Sequence, residues 1–359
     1  MKIALLANQY LNSYLHPVQR NFFRSIIPLL LFTGFLPSVL AQASNNALTN
    51  PIVRHGQDPW VIRWDSKYYF CQSRYNRKSH SEAVWVNVAT NLEDIGKGNW
   101  KCVWYPEKGT AHSAEVWAPE LHYLQDKWYI YVAADNGDNS GHRMYVLEGT
   151  SQDPQKPFIF KGKLAAPEDR WAIDGTVLEM PDGKLYFIWS GWRGAENSTQ
   201  NLYIAPMSNP WTISGDRVLI SHPEYHWEKH GLPIDEGPET LWNGNHLFVI
   251  YSASGYWTDH YCLGQLTWNG GDVLDPKSWV KNPETIFSGT STVIAPGHCS
   301  FVKSPDGKED WIIYHAHISA DSGGERDVRI QRFTWNPNGS PNFGAPVSAG
   351  VPLVRPSGE

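Results

Sequence analysis

The sequence has few cysteines and no extended run of basic residues, and both absences restrict what the protein can be. The four cysteines, Cys71, Cys102, Cys262 and Cys299, include no Cys-x-x-Cys pair, which argues against a zinc ribbon. The formal net charge is −6 at pH 7, and no long Lys or Arg run offsets it. We therefore expect neither nucleic acid nor an anionic membrane as a partner. A Cys71–Cys102 disulfide and free buried thiols both stay open.

The body of the chain also lacks a linker and a long apolar segment. No low-complexity stretch divides residues 50–355, which predicts a single domain. Residues 1–41 are different, because cations precede an interrupted apolar run, residues 26–36, and small residues follow it. That run is short for a membrane span, so the segment is predicted to be a secretory signal peptide, with an uncleaved anchor as the alternative. We expect residues 42–359 to form a single secreted, extracellular domain.

Aromatic residues, in contrast, are abundant and recur in strands of one type. The chain contains 18 Trp and 17 Tyr. Aromatic and β-branched residues favour buried strands, and five segments of this kind are residues 67–70, 127–131, 184–189, 246–251 and 310–314. They repeat every 57 to 64 residues, slightly above the ~50 of kelch-type blades. This repeat predicts an all-β fold, a five-bladed β-propeller with a central channel, and a β-sandwich is the alternative.

A polar residue stands roughly ten residues upstream of each predicted strand. These residues are Asp58, Glu120, Asp174, Glu236 and His298. Because the innermost strand of each propeller blade faces the axis, we expect the five side chains to converge on one pocket. Glu239 follows Glu236 closely and competes with it for the same role. An acid in the apolar stretch around Asp174 costs free energy unless it is paired or functional.

Carboxylates that converge in an aromatic-rich channel point to glycoside hydrolysis. That reaction needs one protonated carboxyl group, which gives a proton to the leaving oxygen, and one ionised carboxylate, which acts as base or nucleophile. A third carboxylate nearby raises the pKa of the acid through like-charge repulsion. Aromatic side chains add flat apolar surfaces on which sugar rings can stack.

Four motifs carry a resemblance to a known family. In chain order they are Asp58-Pro59-Trp60, Val116-Trp117-Ala118-Pro119-Glu120-Leu121, Ile173-Asp174-Gly175 and Glu236-Gly237-Pro238. Together they resemble glycoside hydrolase family 43. The resemblance implies a five-bladed propeller that inverts configuration, with Asp58 as general base, Glu236 as general acid and Asp174 as modulator of the acid's pKa. Inversion requires room for a water molecule, so the two catalytic carboxyl groups are expected to lie ~6.5–9.5 Å apart.

Further stretches of the chain bear on the substrate. Residues 189–192, 205–211 and 251–254 resemble the α-L-arabinofuranosidase members of the family more than its β-xylosidases. The predicted substrate-binding residues are Trp60, Trp117, Trp192, Arg326 and His298. Arg329 is the alternative to Arg326, because strand alternation allows only one of them to point inward. His298 resembles the histidine beside a structural calcium ion in the central channel of family members, with a neutral, hydrogen-bonded histidine as the alternative. No other cofactor is expected.

The combined expectation is a secreted, inverting, exo-acting α-L-arabinofuranosidase. It would release terminal arabinose from arabinan, arabinoxylan or their oligosaccharides. A β-xylosidase or an endo-arabinanase on the same scaffold is the alternative within the family. A non-catalytic carbohydrate-binding propeller is the alternative from another class, because a fold alone does not fix a function.

Overall fold

Antiparallel sheets follow one another along the chain in the computed structural model, which describes residues 47–78 and 80–359. A short strand, β1 (Ala47–Thr49), comes first. The first sheet contains β2 (Trp60–Trp64), β3 (Lys67–Asn76), β4 (Ser81–Ala89) and β5 (Lys101–Trp104). The second contains β6 (Ala114–Leu124), β7 (Lys127–Asp135), β8 (Arg143–Gly149) and β9 (Phe158–Leu164).

Three further sheets complete the series. The third contains β10 (Ala172–Glu179), β11 (Leu185–Trp192), β12 (Gln200–Asn209), β13 (Thr212–Ile213) and β14 (Val218–Ser221). The fourth contains β15 (Asp235–Asn243), β16 (His246–Ala253), β17 (Cys262–Trp268) and β18 (Trp279–Lys281). The fifth contains β19 (Ile294–Lys303), β20 (Asp310–His317), β21 (Arg326–Trp335) and β22 (Pro341–Asn342), and β23 (Pro352–Val354) follows it.

The first strands of the five sheets form a closed ring. Each of β2, β6, β10, β15 and β19 contacts the next, and β19 contacts β2 again. This arrangement confirms the predicted five-bladed β-propeller. The five aromatic segments that predicted the repeat lie in the second strand of each blade, namely β3, β7, β11, β16 and β20.

Aromatic packing between neighbouring blades explains why those second strands are apolar on both faces. The buried side chains form five clusters, one at each interface between adjacent blades. Trp128, for example, lies in the cluster between the first two blades, and Trp311 lies in the one that joins the fifth blade to the first. Burying one such side chain contributes roughly 1.5–3 kcal/mol, so the ring is held mainly by these interfaces.

The two ends of the described chain meet beside the fifth blade. Strand β1 pairs antiparallel with β23, with Leu48 opposite Leu353. The Asn50 side chain then binds both backbone groups of Ile330, donating to its carbonyl at 2.8 Å and accepting from its N–H at 2.9 Å. These contacts close the ring without exchanging a strand between the first and last blades.

Helical structure among the described residues consists of short 3₁₀ turns. They are Leu92–Asp94, Asn139–Gly141, His226–Glu228 and Pro276–Ser278. Within this part of the chain, no helix is long and apolar enough to cross a membrane. The predicted signal peptide, residues 1–41, lies outside the described residues.

All four cysteines are free thiols, which decides between the two alternatives above. Cys71 lies in β3 opposite Val86, whereas Cys102 lies in β5 opposite Trp85. Strand β4 therefore separates the two cysteines by two strand spacings, roughly 9–10 Å. A disulfide needs Cα atoms within about 7 Å, so the suggested Cys71–Cys102 pairing is wrong.

Candidate active site

Backbone irregularities near the start of the inner strands aim the polar residues. Asp58, Asp174 and His298 have φ angles of 46°, 51° and 45°, a left-handed conformation that is uncommon outside glycine. The pairing of β10 with β11 shifts between Ile173 and Thr176, and β15 with β16 shifts in the same way after Glu236. A bulge of this kind bends the strand and redirects a side chain, which explains why alternation alone does not predict these orientations.

The redirected side chains meet in one pocket of about 300 Å³. Six of the residues that the sequence singled out line it, namely Asp58, Trp117, Asp174, Glu236, His298 and Arg326. Further lining residues include Gln57, Trp171, Gln200, Leu232, Tyr256 and Trp257. Acidic side chains from three different blades therefore face one space of the size of a sugar ring and its neighbours.

Asp58 is held in the ionised form by its surroundings. Its Oδ1 lies 3.4 Å from Nη1 of Arg326, 3.5 Å from Nδ1 of His298 and 3.4 Å from Nδ1 of His315. Burial alone would raise the pKa of Asp58, but the charges of His298 and Arg326 together hold it well below its usual range. The Asp58 N–H donates to His315 Nδ1 at 3.1 Å. This bond also fixes the backbone of the residue that carries the carboxylate.

Glu236 has the opposite protonation behaviour. Burial, together with the charge of Asp58, raises its pKa to about 7 even though the Tyr261 hydroxyl donates to Glu236 Oε1 at 2.8 Å. Burial also raises the pKa of Asp174 to about 8, with the Glu236 and Asp58 charges acting in the same direction against His298. Near neutral pH the pocket thus offers an ionised carboxylate and a protonated one.

Asp174 also positions the strand that carries Glu236. Its Oδ2 accepts a hydrogen bond from the Gly237 N–H at 3.2 Å. Gly237 has a φ of 52°, and a Cβ at this position would lie 3.2 Å from the His298 ring. A side chain here would be strained and crowded, so the Glu236-Gly237 sequence suits the close approach of three blades.

Of the two candidate arginines, Arg326 is the one at the pocket. Its Nη2 donates to Gln57 Oε1 at 2.8 Å, and its guanidinium lies 4.3 Å from the centre of the Tyr256 ring. Arg329 is only 3% exposed and is not among the pocket residues. Strand β21 therefore turns the first arginine inward, as predicted.

The three predicted tryptophans have different positions. Trp117 lines the pocket and stacks on His142, with ring centroids 3.9 Å apart. Trp60 lies outside the pocket lining, because its Nε1 donates to the Leu121 carbonyl at 2.7 Å and its ring faces the second blade. Trp192 is 3% exposed and lies behind Trp171, on which it stacks with an interplanar angle of 8°. Trp171, which was not among the predicted binding residues, lines the pocket instead.

Glu120 and Glu239 form a separate buried pair outside the pocket lining. They are each 4% exposed, and Glu120 Oε2 lies 2.9 Å from His122 Nε2. Burial and the neighbouring Glu120 raise the pKa of Glu239 well above its ordinary value. Glu236, and not Glu239, is therefore the pocket acid of its motif.

The donors around His298 do not fit a calcium site built from protein oxygens. Calcium takes six to eight oxygen ligands, whereas His298 offers a nitrogen, which lies 3.5 Å from Oδ1 of Asp58. The Arg326 guanidinium also lies against that carboxylate and opposes a second cation. His298 is better described as one of the groups that keep Asp58 ionised.

Two residues that sequence reasoning missed contact the catalytic candidates directly. Tyr261 binds Glu236, and its ring stacks on His315 with an interplanar angle of 15°. His315 in turn contacts Asp58. Burial lowers the pKa of His315 to about 3, so the imidazole is neutral and accepts from the Asp58 N–H. Gly297 lies against the Tyr261 ring, where an added Cβ would come within 2.4 Å, but no sequence spacing indicates this contact.

A propeller with an ionised and a protonated carboxyl group facing each other across one channel is the architecture of a glycoside hydrolase. Residues 48–341 match the family described as Glycosyl hydrolases family 43. The chain belongs to that family, and the resemblance stated from the motifs is confirmed.

Individual relatives cover most of the chain. The extracellular exo-alpha-(1->5)-L-arabinofuranosidase of Streptomyces avermitilis is 35% identical over 342 residues, which span 91% of this chain and 69% of that protein. A protein of the same name from Streptomyces chartreusis is 35% identical over 74% of this chain and 81% of its own length. The crystal structure of alpha-L-arabinofuranosidase from Lactobacillus brevis matches with a TM-score of 0.78 and 33% identity, covering 86% of this chain and 99% of that one.

Proposed function

We propose that the protein is an exo-acting, inverting α-L-arabinofuranosidase. The observation that carries the proposal is the pairing of Asp58, held ionised by His298 and Arg326, with Glu236, whose pKa is raised to about 7. Relatives at 33–35% identity are named for α-L-arabinofuranosidase activity. Arabinan, arabinoxylan and their oligosaccharides are accordingly the proposed substrates.

The proposed chemistry is a single displacement. Asp58 accepts a proton from a water molecule, whose oxygen attacks the anomeric carbon. The bond from that carbon to the leaving oxygen breaks, and Glu236 gives its proton to that oxygen. Asp174 accepts a hydrogen bond from the Gly237 N–H and so positions the backbone beside Glu236. Two carboxyl groups and water suffice for these reaction steps, so we infer that the reaction requires no cofactor.

Exposed aromatic residues at the pocket rim are suited to binding the part of the sugar substrate that remains after the terminal arabinose is cleaved off. Trp257 and Tyr256 line the pocket and are 46% and 38% exposed. Large exposed aromatic surfaces are suited to stacking on sugar rings. Trp257→Ala should therefore raise KM for arabino-oligosaccharides while changing kcat/KM for a small aryl arabinofuranoside by less than ~3-fold.

The test of the catalytic assignment compares leaving groups. A phenolate with electron-withdrawing groups departs without a proton, whereas a sugar hydroxyl needs one. Glu236→Gln should thus lose at least ~10²-fold activity on arabino-oligosaccharides and far less on a nitrophenyl arabinofuranoside. Glu239→Gln is the matched control, because its carboxyl group is buried outside the pocket lining. Equal losses of the Glu236 variant on both substrates would refute its role as the acid.

Two product measurements and one comparison of rates test the stereochemistry, the exo action and the substrate of the proposed enzyme. Proton NMR of the first product should show the anomer inverted from the substrate, and a retained anomer would remove Asp58 as a base. Hydrolysis of linear arabinan should release arabinose alone, whereas a ladder of oligomers would favour an endo-arabinanase. Faster turnover of an aryl β-D-xyloside than of the arabinofuranoside would favour a β-xylosidase.

We also propose that the protein is extracellular, as the name of the Streptomyces avermitilis relative states for that protein.

A further inference from the structure

We propose that Glu115, Asp135 and His142, a cluster in the second blade, bind a divalent transition-metal ion such as zinc. One carboxylate oxygen from each acid and one ring nitrogen of His142 lie within 4.8 Å of one another. The proposal does not depend on the reaction above, because none of the three residues lines the substrate pocket.

The backbone brings the three donors together at one end of the blade. Asp135 ends β7 opposite Ala114, and Glu115 follows in β6 with a φ of 46°. His142 lies between the 3₁₀ turn Asn139–Gly141 and β8. Asp135 and His142 are fully buried, whereas Glu115 is partly exposed. An ion can therefore reach the buried pair past the Glu115 side chain.

The hydrogen bonds around His142 leave one lone pair facing another. His142 Nε2 lies 3.1 Å from the Glu115 carbonyl oxygen, and a carbonyl only accepts, so Nε2 carries the proton. In a neutral imidazole the other nitrogen, Nδ1, then has no proton. Nδ1 lies 3.0 Å from Asp135 Oδ2, and neither atom has a hydrogen-bond partner among the described residues. Two buried lone pairs in contact repel unless a cation lies between them.

Backbone hydrogen bonds already orient the two buried ligands. The Gly137 N–H donates to the second oxygen of Asp135 at 2.7 Å. Ligands oriented by such backbone bonds, including a histidine bound to a carbonyl through its other nitrogen, are typical of metal sites.

The donor set selects the kind of metal. One imidazole nitrogen and two carboxylate oxygens suit zinc with a water as the fourth ligand. Calcium prefers oxygen ligands alone and in larger number. Tetrahedral bonds of ~2.0–2.2 Å place donors roughly 3.4 Å apart, so Glu115 needs to approach the pair only slightly. Because Trp117 stacks on His142, the ion would stiffen the ring that lines the pocket.

The test uses the untagged full chain after dialysis against a chelator. Titration with ZnCl₂ in a calorimeter should show one site, and thermal unfolding should shift upward with zinc but not with calcium. Replacing a residue that only orients a ligand costs 10–100-fold in affinity, so His142→Gln and Asp135→Asn should each lose at least ~100-fold. Glu115→Gln, at a partly exposed position, provides a variant whose folding is least at risk, and it should lose ~10-fold or more.

His230→Gln is the matched control, because His230 stacks on His260 at the surface of the fourth blade and lies outside the cluster. This variant should bind zinc as the unchanged protein does. Loss of binding in His230→Gln, with binding retained in Glu115→Gln, would place the ion at surface histidines and overturn the proposal. Absence of any zinc binding to the dialysed full chain would also overturn it, and a proton shared by the cluster would then be the explanation.

Discussion

Removing the Tyr261 hydroxyl should shift the pH dependence of hydrolysis in one direction only. That hydroxyl donates to Glu236 Oε1 at 2.8 Å and therefore stabilises the ionised form of the acid. Burial raises the pKa of Tyr261 well above its ordinary value, so the phenol remains a donor throughout the working range. Tyr261→Phe keeps the ring against Gly297 and His315 and deletes the hydrogen bonds of the hydroxyl, which are those to Glu236 and to Ser252.

The expected size of the shift follows from the energy of that bond. Hydrogen bonds to charged groups contribute about 1.5–3 kcal/mol and those between neutral groups about 0.5–1.5 kcal/mol. The difference of about 1.4 kcal/mol corresponds to about one pKa unit. The pKa of Glu236, now about 7, should therefore rise by about one unit. The protonated, working form of the acid would then persist to higher pH.

The assay is kcat/KM for an arabino-oligosaccharide measured from pH 4 to pH 10. The alkaline limb of the profile should move upward by about one unit in Tyr261→Phe, while the rate at pH 5 changes less than ~5-fold. Tyr251→Phe is the matched control, because the Tyr251 hydroxyl donates at 2.8 Å to Glu228, a buried acid outside the pocket lining. An unmoved or lowered alkaline limb in Tyr261→Phe would refute this account of Glu236.

Other changes give equally directional outcomes. Gly297→Ala would place a Cβ 2.4 Å from the Tyr261 ring, so it should reproduce the pH shift with a lower melting temperature, while Gly194→Ala, in open space, should change neither. Arg326→Lys cannot bridge Asp58 and Gln57; kcat/KM should fall ~10²-fold and the acid limb should move up, and an unmoved acid limb would contradict the role of the guanidinium. Asp174 has a folded pKa raised to about 8 from 3.8. Its proton therefore stabilises the fold fully below about pH 4, and that contribution is lost as pH rises through about 8. The melting temperature of Asp174→Asn should consequently rise relative to that of the unchanged protein as the pH increases from 5 to 9. A difference in melting temperature that stays constant over this range would contradict the raised pKa.

The blade count was predictable because each blade repeats the same physical requirement. A second strand with neighbours on both faces must be apolar throughout, and the segments around Tyr68, Trp128 and Trp311 show this directly. The pocket acids were predictable for a related reason. Each stands just before such a strand, so its place near the ring axis follows once the strand is assigned to a blade.

Side-chain direction was less predictable, and Trp60 and Trp192 illustrate the reason. A strand alternates its faces with a period of two, so one bulged residue reverses every later side chain. Trp192 faces the interior and stacks on Trp171. The sequence around it contains no signal that fixes which face of the strand it lies on. Tyr261 reaches the site from the segment just before β17, and His315 reaches it from β20. Contacts between different blades have no sequence spacing from which they could be inferred.

The bulges connect the fold to the chemistry. A non-glycine residue held at positive φ costs on the order of 1–3 kcal/mol, and Asp58, Asp174 and His298 each have this conformation. In a free strand that strain would relax, and the carboxyl groups would return to the regular alternation. Within a closed ring, each inner strand is held by aromatic clusters on both sides, which offsets the strain. The blade interfaces therefore do more than stabilise the protein. They keep one carboxyl group beside Arg326 and another beside Tyr261, and that difference in surroundings holds the first ionised while the pKa of the second is raised.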